Sequence, residues 1–119
     1  MKDMLQEAFA QAGFTLSDVQ ADQFERYYAI LLDWNQRMNL TAIEAAEDVL
    51  YKHFLDSVLT LWVTGDLAGK RLIDVGTGAG FPGVPLKIMT PELDLCLFDS
   101  LQKRIHFLEH LCGELGLKA

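Results

Sequence analysis

Arg71-Leu72-Ile73-Asp74-Val75-Gly76-Thr77-Gly78-Ala79-Gly80-Phe81-Pro82-Gly83 is the stretch whose reading decides the fold. Arg71 to Val75 is a short, apolar, β-branched run stopped by a glycine cluster, the pattern of a buried strand. Its glycines permit a tight turn and close backbone approach to a ligand at the carboxyl end of that strand. Downstream, Gly83 to Met89 reads as a short helix, with Pro85 tolerated in its first turn and Pro91 closing it. Leu93 to Phe98 reads as a second strand. Ser100 is expected to cap a final helix whose core stripe is Leu101, Ile105, Leu108, Cys112 and Leu115, ending near Gly113 or Gly116. A strand, a crossover helix and a second strand of these lengths imply two parallel strands joined by a right-handed crossover, the opening half of a doubly wound sheet. Parallel strands are normally covered on both faces. A chain stopping at Ala119 is therefore expected to leave apolar surface and strand edges open, as a fragment of a longer protein would.

Upstream of this unit the periodicity is helical. Leu5, Ala8, Phe9 and Ala12 repeat at helical spacing before Gly13. Ser17 and Gln20 form a capping-box pair ahead of Phe24, Tyr27, Tyr28, Leu31 and Trp34, and Asn39-Leu40-Thr41 is expected to end that long helix. A third helix is predicted from about Glu47 to Val63, with Leu50, Phe54, Leu55, Val58, Leu61 and Trp62 on one side. The chain thus divides into a helical segment, 1–68, and a β-α-β-α segment, 69–119, an α/β organisation overall.

The 119 residues are 50% hydrophobic and carry a net charge of −7, which argues against generic affinity for DNA or RNA. Residues 1–69 hold four cations against eleven acids, whereas residues 70–119 hold six of each sign. An RNA partner must therefore use a local patch or a segment beyond this chain. No run approaches the ~18 apolar residues of a membrane helix, and polar residues near Met1 occupy the place of a signal peptide's apolar core, so a soluble, cytoplasmic protein is expected. Cys96 and Cys112 are read as buried free thiols.

Three nucleotide-ligand readings of the glycine loop compete. A dinucleotide fingerprint would need Gly or Ala where Phe81 stands, and a phosphate loop would need Lys and Ser or Thr where Val84 and Pro85 stand. What remains is acid-x-Gly-x-Gly-x-Gly from Asp74, with Asp99 at the end of the second strand. Such a pair suits a nucleoside without phosphate: the Asp99 carboxylate accepts hydrogen bonds from ribose hydroxyls, and the glycine turn accommodates the amino-acid end of S-adenosylmethionine. A glycine-rich connector with no ligand is the plain alternative.

Together, Trp34-Asn35 with Asn39-Leu40-Thr41, His53-x-x-Asp56-Ser57, Asp74 to Gly83, and Phe98-Asp99-Ser100-Leu101-x-Lys103-Arg104-x-x-Phe107-Leu108 resemble the bacterial small-subunit ribosomal RNA guanine-N7 methyltransferase family, glucose-inhibited division protein B. The resemblance runs from about Leu16 to the carboxyl terminus. It implies the amino-terminal part of a Rossmann-like class I methyltransferase that uses S-adenosylmethionine to methylate a guanine of 16S ribosomal RNA in the small subunit. Carried over by position, Gly76, Thr77, Gly78, Gly80 and Phe81 form the cofactor loop, and Asp99 is the ribose acceptor. The family's later segments, which supply adenine contacts and an arginine and a lysine near the reacting groups, have no match here.

Methyl transfer to guanine N7 needs little acid-base help, so polar residues near the cofactor are expected to orient the base and exclude water. His53, Asp56 and Thr60, spaced i, i+3 and i+7, suit such a lining or simply a solvated helix face. Asn35 and Asn39 are candidates for cofactor or RNA contact, and helix capping explains them comparably. Asn39-Leu40-Thr41 also spells a glycosylation sequon, which an exported protein alone would use. Lys103 with Arg104, and Lys70 with Arg71, are the basic clusters available to RNA phosphates, with plain solvated charge as the alternative for at least half of them. His106-Phe107-Leu108-Glu109-His110 spells an inverted zinc-protease motif, but both rings fall opposite the apolar stripe and no third ligand follows, so no metal is expected. No Gly-x-Ser-x-Gly elbow supports a hydrolase. The non-enzymatic alternative is a cofactor-binding or self-associating fragment with its sheet edge paired to another copy.

Overall fold

A computed structural model describes residues 1–119. Helix α1 (Lys2–Gln11) buries Leu5, Ala8 and Phe9 against α2 (Asp18–Asn35). The capping box forms as expected. Gln20 N–H donates to Ser17 Oγ at 3.1 Å and Ser17 N–H donates to Gln20 Oε1 at 2.9 Å, satisfying two donors that a helix start leaves unpaired.

The third helical stretch is not one regular helix. It runs as α3 (Ala46–Val49), a π-helical turn (Leu50–Leu55) and α4 (Asp56–Val58), then breaks before α5 (Leu61–Thr64). Leu50, Phe54 and Val58 are each fully buried and spaced by four residues. On a regular α-helix such positions drift by about 40° per step. The wider π turn takes up that drift and keeps all three on the core side. Trp62, assigned by periodicity to the core, lies 67% exposed beyond the break and stacks on Phe14 at 6.0 Å.

Strand β1 (Arg71–Val75), helix α6 (Gly83–Met89) and strand β2 (Asp94–Phe98) follow, and the strands pair in parallel with Arg71 opposite Asp94 and Val75 opposite Phe98. One sheet face packs on α6, where Leu67, Leu86, Leu93 and Leu95 form a small second core. The other face is open: Ile73, Val75 and Phe98 are 54%, 79% and 52% exposed, and Cys96, read from its neighbours as buried, is exposed beside them. Because side chains alternate along a strand, apolar residues here occupy both faces, whereas this chain covers one.

Helix α7 (Gln102–Leu115) buries Phe107, Leu108, Leu111, Cys112 and Leu115. Ser100 does not cap it, and Leu101 is exposed. Instead the Asp99 carboxylate accepts the Leu101 N–H at 3.0 Å. The main core joins both halves of the chain, with Phe24, Tyr27 and Phe54 sharing it with Val84, Phe107 and Leu111. No helix is long and apolar enough to cross a membrane.

Candidate functional site

The glycine loop sits at the carboxyl tips of both strands. The N–H groups of Gly76 and Thr77 donate to the Phe98 carbonyl at 2.8 and 3.1 Å, tying the loop's start to the end of β2. Asp74 organises it from below: its Oδ2 accepts the Thr77 hydroxyl at 2.7 Å and the Gly83 N–H at 3.0 Å. Thr77 is accordingly buried, with its side chain turned away from the loop's outer surface.

The loop glycines divide into two kinds. At Gly76 and Gly78, both with positive φ, an added Cβ would meet no atom within 4 Å, so their outer surface is open to a ligand. Gly80 is buried, with φ +100° and with the Tyr27 hydroxyl only 2.6 Å from where a Cβ would stand. That hydroxyl donates to the Ala79 carbonyl at 2.6 Å, fastening the loop to α2.

Asp99 closes the outer side. Its Oδ2 accepts the Gly78 N–H at 2.9 Å, and Arg104 approaches Oδ1 at 3.6 Å with the Asp99 side chain only 2% exposed. The Leu101 N–H foremost, with the Gly78 N–H and the Arg104 charge, holds the Asp99 carboxyl below its ordinary range.

Phe81 also faces inward. It lies between His53, ring to ring at 4.4 Å and 10°, and Tyr27, at 5.5 Å and 13°. His53 Nε2 pairs with the Thr41 hydroxyl at 2.8 Å, and that hydroxyl accepts the Ile43 N–H at 3.1 Å. Partial burial lowers the His53 pKa and outweighs the Asp56 charge, so the ring is neutral at neutral pH. Asp56 is exposed and joined to His53 by no hydrogen bond, and Thr60 is half-buried. His53 lies within the π turn, and Asp56 and Thr60 follow it.

The family model for GidB, rRNA small subunit methyltransferase G, matches residues 20–119. The chain belongs to this family. It is 51% identical over 117 residues to a ribosomal RNA small subunit methyltransferase G from Alkaliphilus oremlandii, covering 98% of this chain and 49% of that protein. A protein of the same name from Halalkalibacterium halodurans is 53% identical over 108 residues, covering 91% of this chain and 45% of the relative. One from Streptococcus equi subsp. zooepidemicus is 51% identical over 113 residues, covering 93% and 47%. The chain thus spans about half the length of these relatives.

Within the chain, Asn35 is a structural knot. Its Oδ1 accepts the N–H groups of Leu40 and Thr41 at 2.8 and 3.0 Å, and its Nδ2 donates to the Thr41 carbonyl at 3.0 Å, which shapes the loop carrying Thr41 to His53. Asn39 is exposed on that loop. Lys70 precedes β1 and Arg71 starts it, about 16 Å of strand from the glycine loop, and Arg71 pairs with Asp94 at 3.2 Å. Lys103 and Arg104 lie on the glycine-loop side, in the first turn of α7. His110 leans on Trp34 at 5.6 Å and approaches Glu114 at 3.9 Å, whereas His106 contacts Gln102 at 3.3 Å. No three metal-ligating side chains converge. Sequence reasoning missed Tyr27 as the loop's fastener, since its helical spacing marked it as core, and missed Arg37, which stands alone in sequence but joins Lys103 and His106 in space.

Proposed function

We propose that this chain forms the S-adenosylmethionine end of a Rossmann-like enzyme that methylates N7 of a guanine in 16S ribosomal RNA. In this reading residues 1–68 brace residues 69–119, the beginning of the cofactor domain. The observation that carries it is the juxtaposition of an open Gly76–Gly78 turn with the Asp99 carboxylate at the tips of two parallel strands, in a chain of this family. The residues fit the cofactor: no side chain intervenes over Gly76 or Gly78, and Asp99 is held ionised, as a ribose acceptor requires. When bound, S-adenosylmethionine supplies an activated methyl group on a sulfonium. Each Asp99 oxygen accepts one backbone N–H and retains a second lone pair for a ribose hydroxyl. Thr77, Gly80 and Phe81 shape the loop from within and act on cofactor binding through it. His53 positions Phe81, while Asn39 and Asp56 remain free to face the substrate.

Calorimetric titration of the folded chain with S-adenosylhomocysteine tests this reading. Saturable one-to-one binding is expected, weakened at least tenfold by Asp99→Ala or Gly78→Val and unaffected by Glu7→Gln on the exposed side of α1. Equal effects from all three would undo the assignment. A second reading, a self-associating module, draws on the open face of Ile73, Val75 and Phe98. Light scattering that shows a concentration-dependent dimer, abolished by Val75→Lys, would favour it.

A further inference from the structure

We infer that the cleft between the carboxyl end of α2 and the first turns of α7 binds the phosphodiester backbone of RNA. It has a volume of about 280 Å³ and is lined by Trp34, Arg37, Met38, Lys103 and His106, with no acidic side chain in its lining. That is unusual ground in a chain of net charge −7.

Arg37 is prepared for an anion. Its guanidinium lies 4.9 Å from the centroid of the Trp34 ring, and one of its nitrogens pairs with Asp33 at 3.0 Å. The Trp34 ring and Asp33 orient the planar fork, and its other N–H donors stay available to a phosphate. Lys103 supplies a flexible second cation from the α7 wall, and His106 a ring donor one turn further along. The Trp34 edge and Met38 offer apolar contact to a sugar. Of the nearby acids, Asp33 pairs with Arg37 itself through one guanidinium nitrogen, and Glu114 is shared by Arg26 at 3.3 Å and His110 at 3.9 Å. Glu109 is exposed on α7 and stands outside the lining.

Position selects RNA over a free anion. Lys103 precedes Arg104, which contacts Asp99 at 3.6 Å, so the cleft adjoins the proposed cofactor site. A strand anchored in the cleft has neighbouring nucleotides within reach of the glycine loop. This inference rests on the methyltransferase reading and adds the residues that hold the substrate backbone.

The test is fluorescence anisotropy of the whole chain with a labelled short RNA hairpin across a series of KCl concentrations. Arg37→Gln and Lys103→Gln should each weaken binding severalfold and lower the slope of log K against log salt by about 0.7–0.9, the share of one phosphate contact. Lys70→Gln and Arg71→Gln, at the far end of the strands, should leave the slope unchanged. No saturable binding by the unmodified chain at low salt overturns the inference, as do equal slopes for all variants. Displacement of the RNA by millimolar inorganic phosphate would assign the cleft to small anions and overturn it too. The same variants are titrated with S-adenosylhomocysteine: loss of RNA binding with cofactor binding retained removes the cleft alone, whereas absent cofactor binding in every form removes the methyltransferase reading.

Discussion

Replacing Gly80 by alanine is expected to destabilise the fold far more than the same change at Gly78, although both glycines have positive φ. At Gly78 the new Cβ enters open space, so the cost is that of a left-handed L-residue, about 1 kcal/mol. At Gly80 the same backbone cost applies at φ +100°, and the Cβ would also lie 2.6 Å from the Tyr27 hydroxyl and 2.9 Å from Val84 Cγ2. The hydroxyl must move and the buried Ala79 carbonyl loses its donor, which adds about 1–3 kcal/mol. The total comes to about 2–4 kcal/mol, a large part of the stability of a domain this small. Urea denaturation followed by circular dichroism measures both variants, with m-values checked for two-state behaviour. A double-mutant cycle isolates the cause. Tyr27→Phe removes the obstructing oxygen and has already lost the bond to Ala79, so Gly80→Ala should cost about 1–3 kcal/mol less in that background. Equal costs for Gly78→Ala and Gly80→Ala, or no coupling to Tyr27→Phe, would refute the reasoning.

Two further outcomes follow from buried polar groups. Lys87 is 8% exposed and its Nζ donates to the Pro91 carbonyl at 2.7 Å and to the Leu93 carbonyl, so Lys87→Met should cost about 2–3 kcal/mol in denaturant by leaving both acceptors unpaired. A change under about 0.5 kcal/mol, typical of surface sites, would show that these bonds contribute nothing net. His53 is depressed below its ordinary 6.5, so the unfolded chain binds that proton more readily than the folded one. Its contribution to stability is complete above about pH 6.5 and is lost as pH falls from there through the folded value. Stability measured at steps between about pH 6.5 and 5.5 should therefore decline in the unmodified chain and decline less in His53→Gln; identical slopes would rule out His53 as the source.

Much of the molecule was legible because the signals are local. The Ser17–Gln20 capping box needs residues three apart, β1 ends where the glycines begin, and the parallel pairing of β1 with β2 follows from a connection long enough to hold a crossover helix. The third helix was less legible. Its apolar positions at Leu50, Phe54 and Val58 fit either a regular helix or a widened turn, and contact with Tyr27 and Phe24 selected the latter. Cys96 and Trp62 carry apolar neighbours in sequence, yet their exposure depends on what lies over β2 and α5 in space.

The candidate site divides along the same line. The sequence by itself determined the glycine turn and the acids Asp74 and Asp99, since backbone conformation and strand ends are governed by residues within a few positions of one another. Tertiary structure alone decided that Gly80 and Phe81 face the core while Gly76 and Gly78 face outward, that Asp99 is latched by the Gly78 N–H, and that Arg37 meets Lys103 across a cleft. Those outcomes depend on how α2 packs against the loop and α7. Packing is a property of surfaces brought together from distant parts of the chain, and local periodicity carries no record of which surfaces will meet.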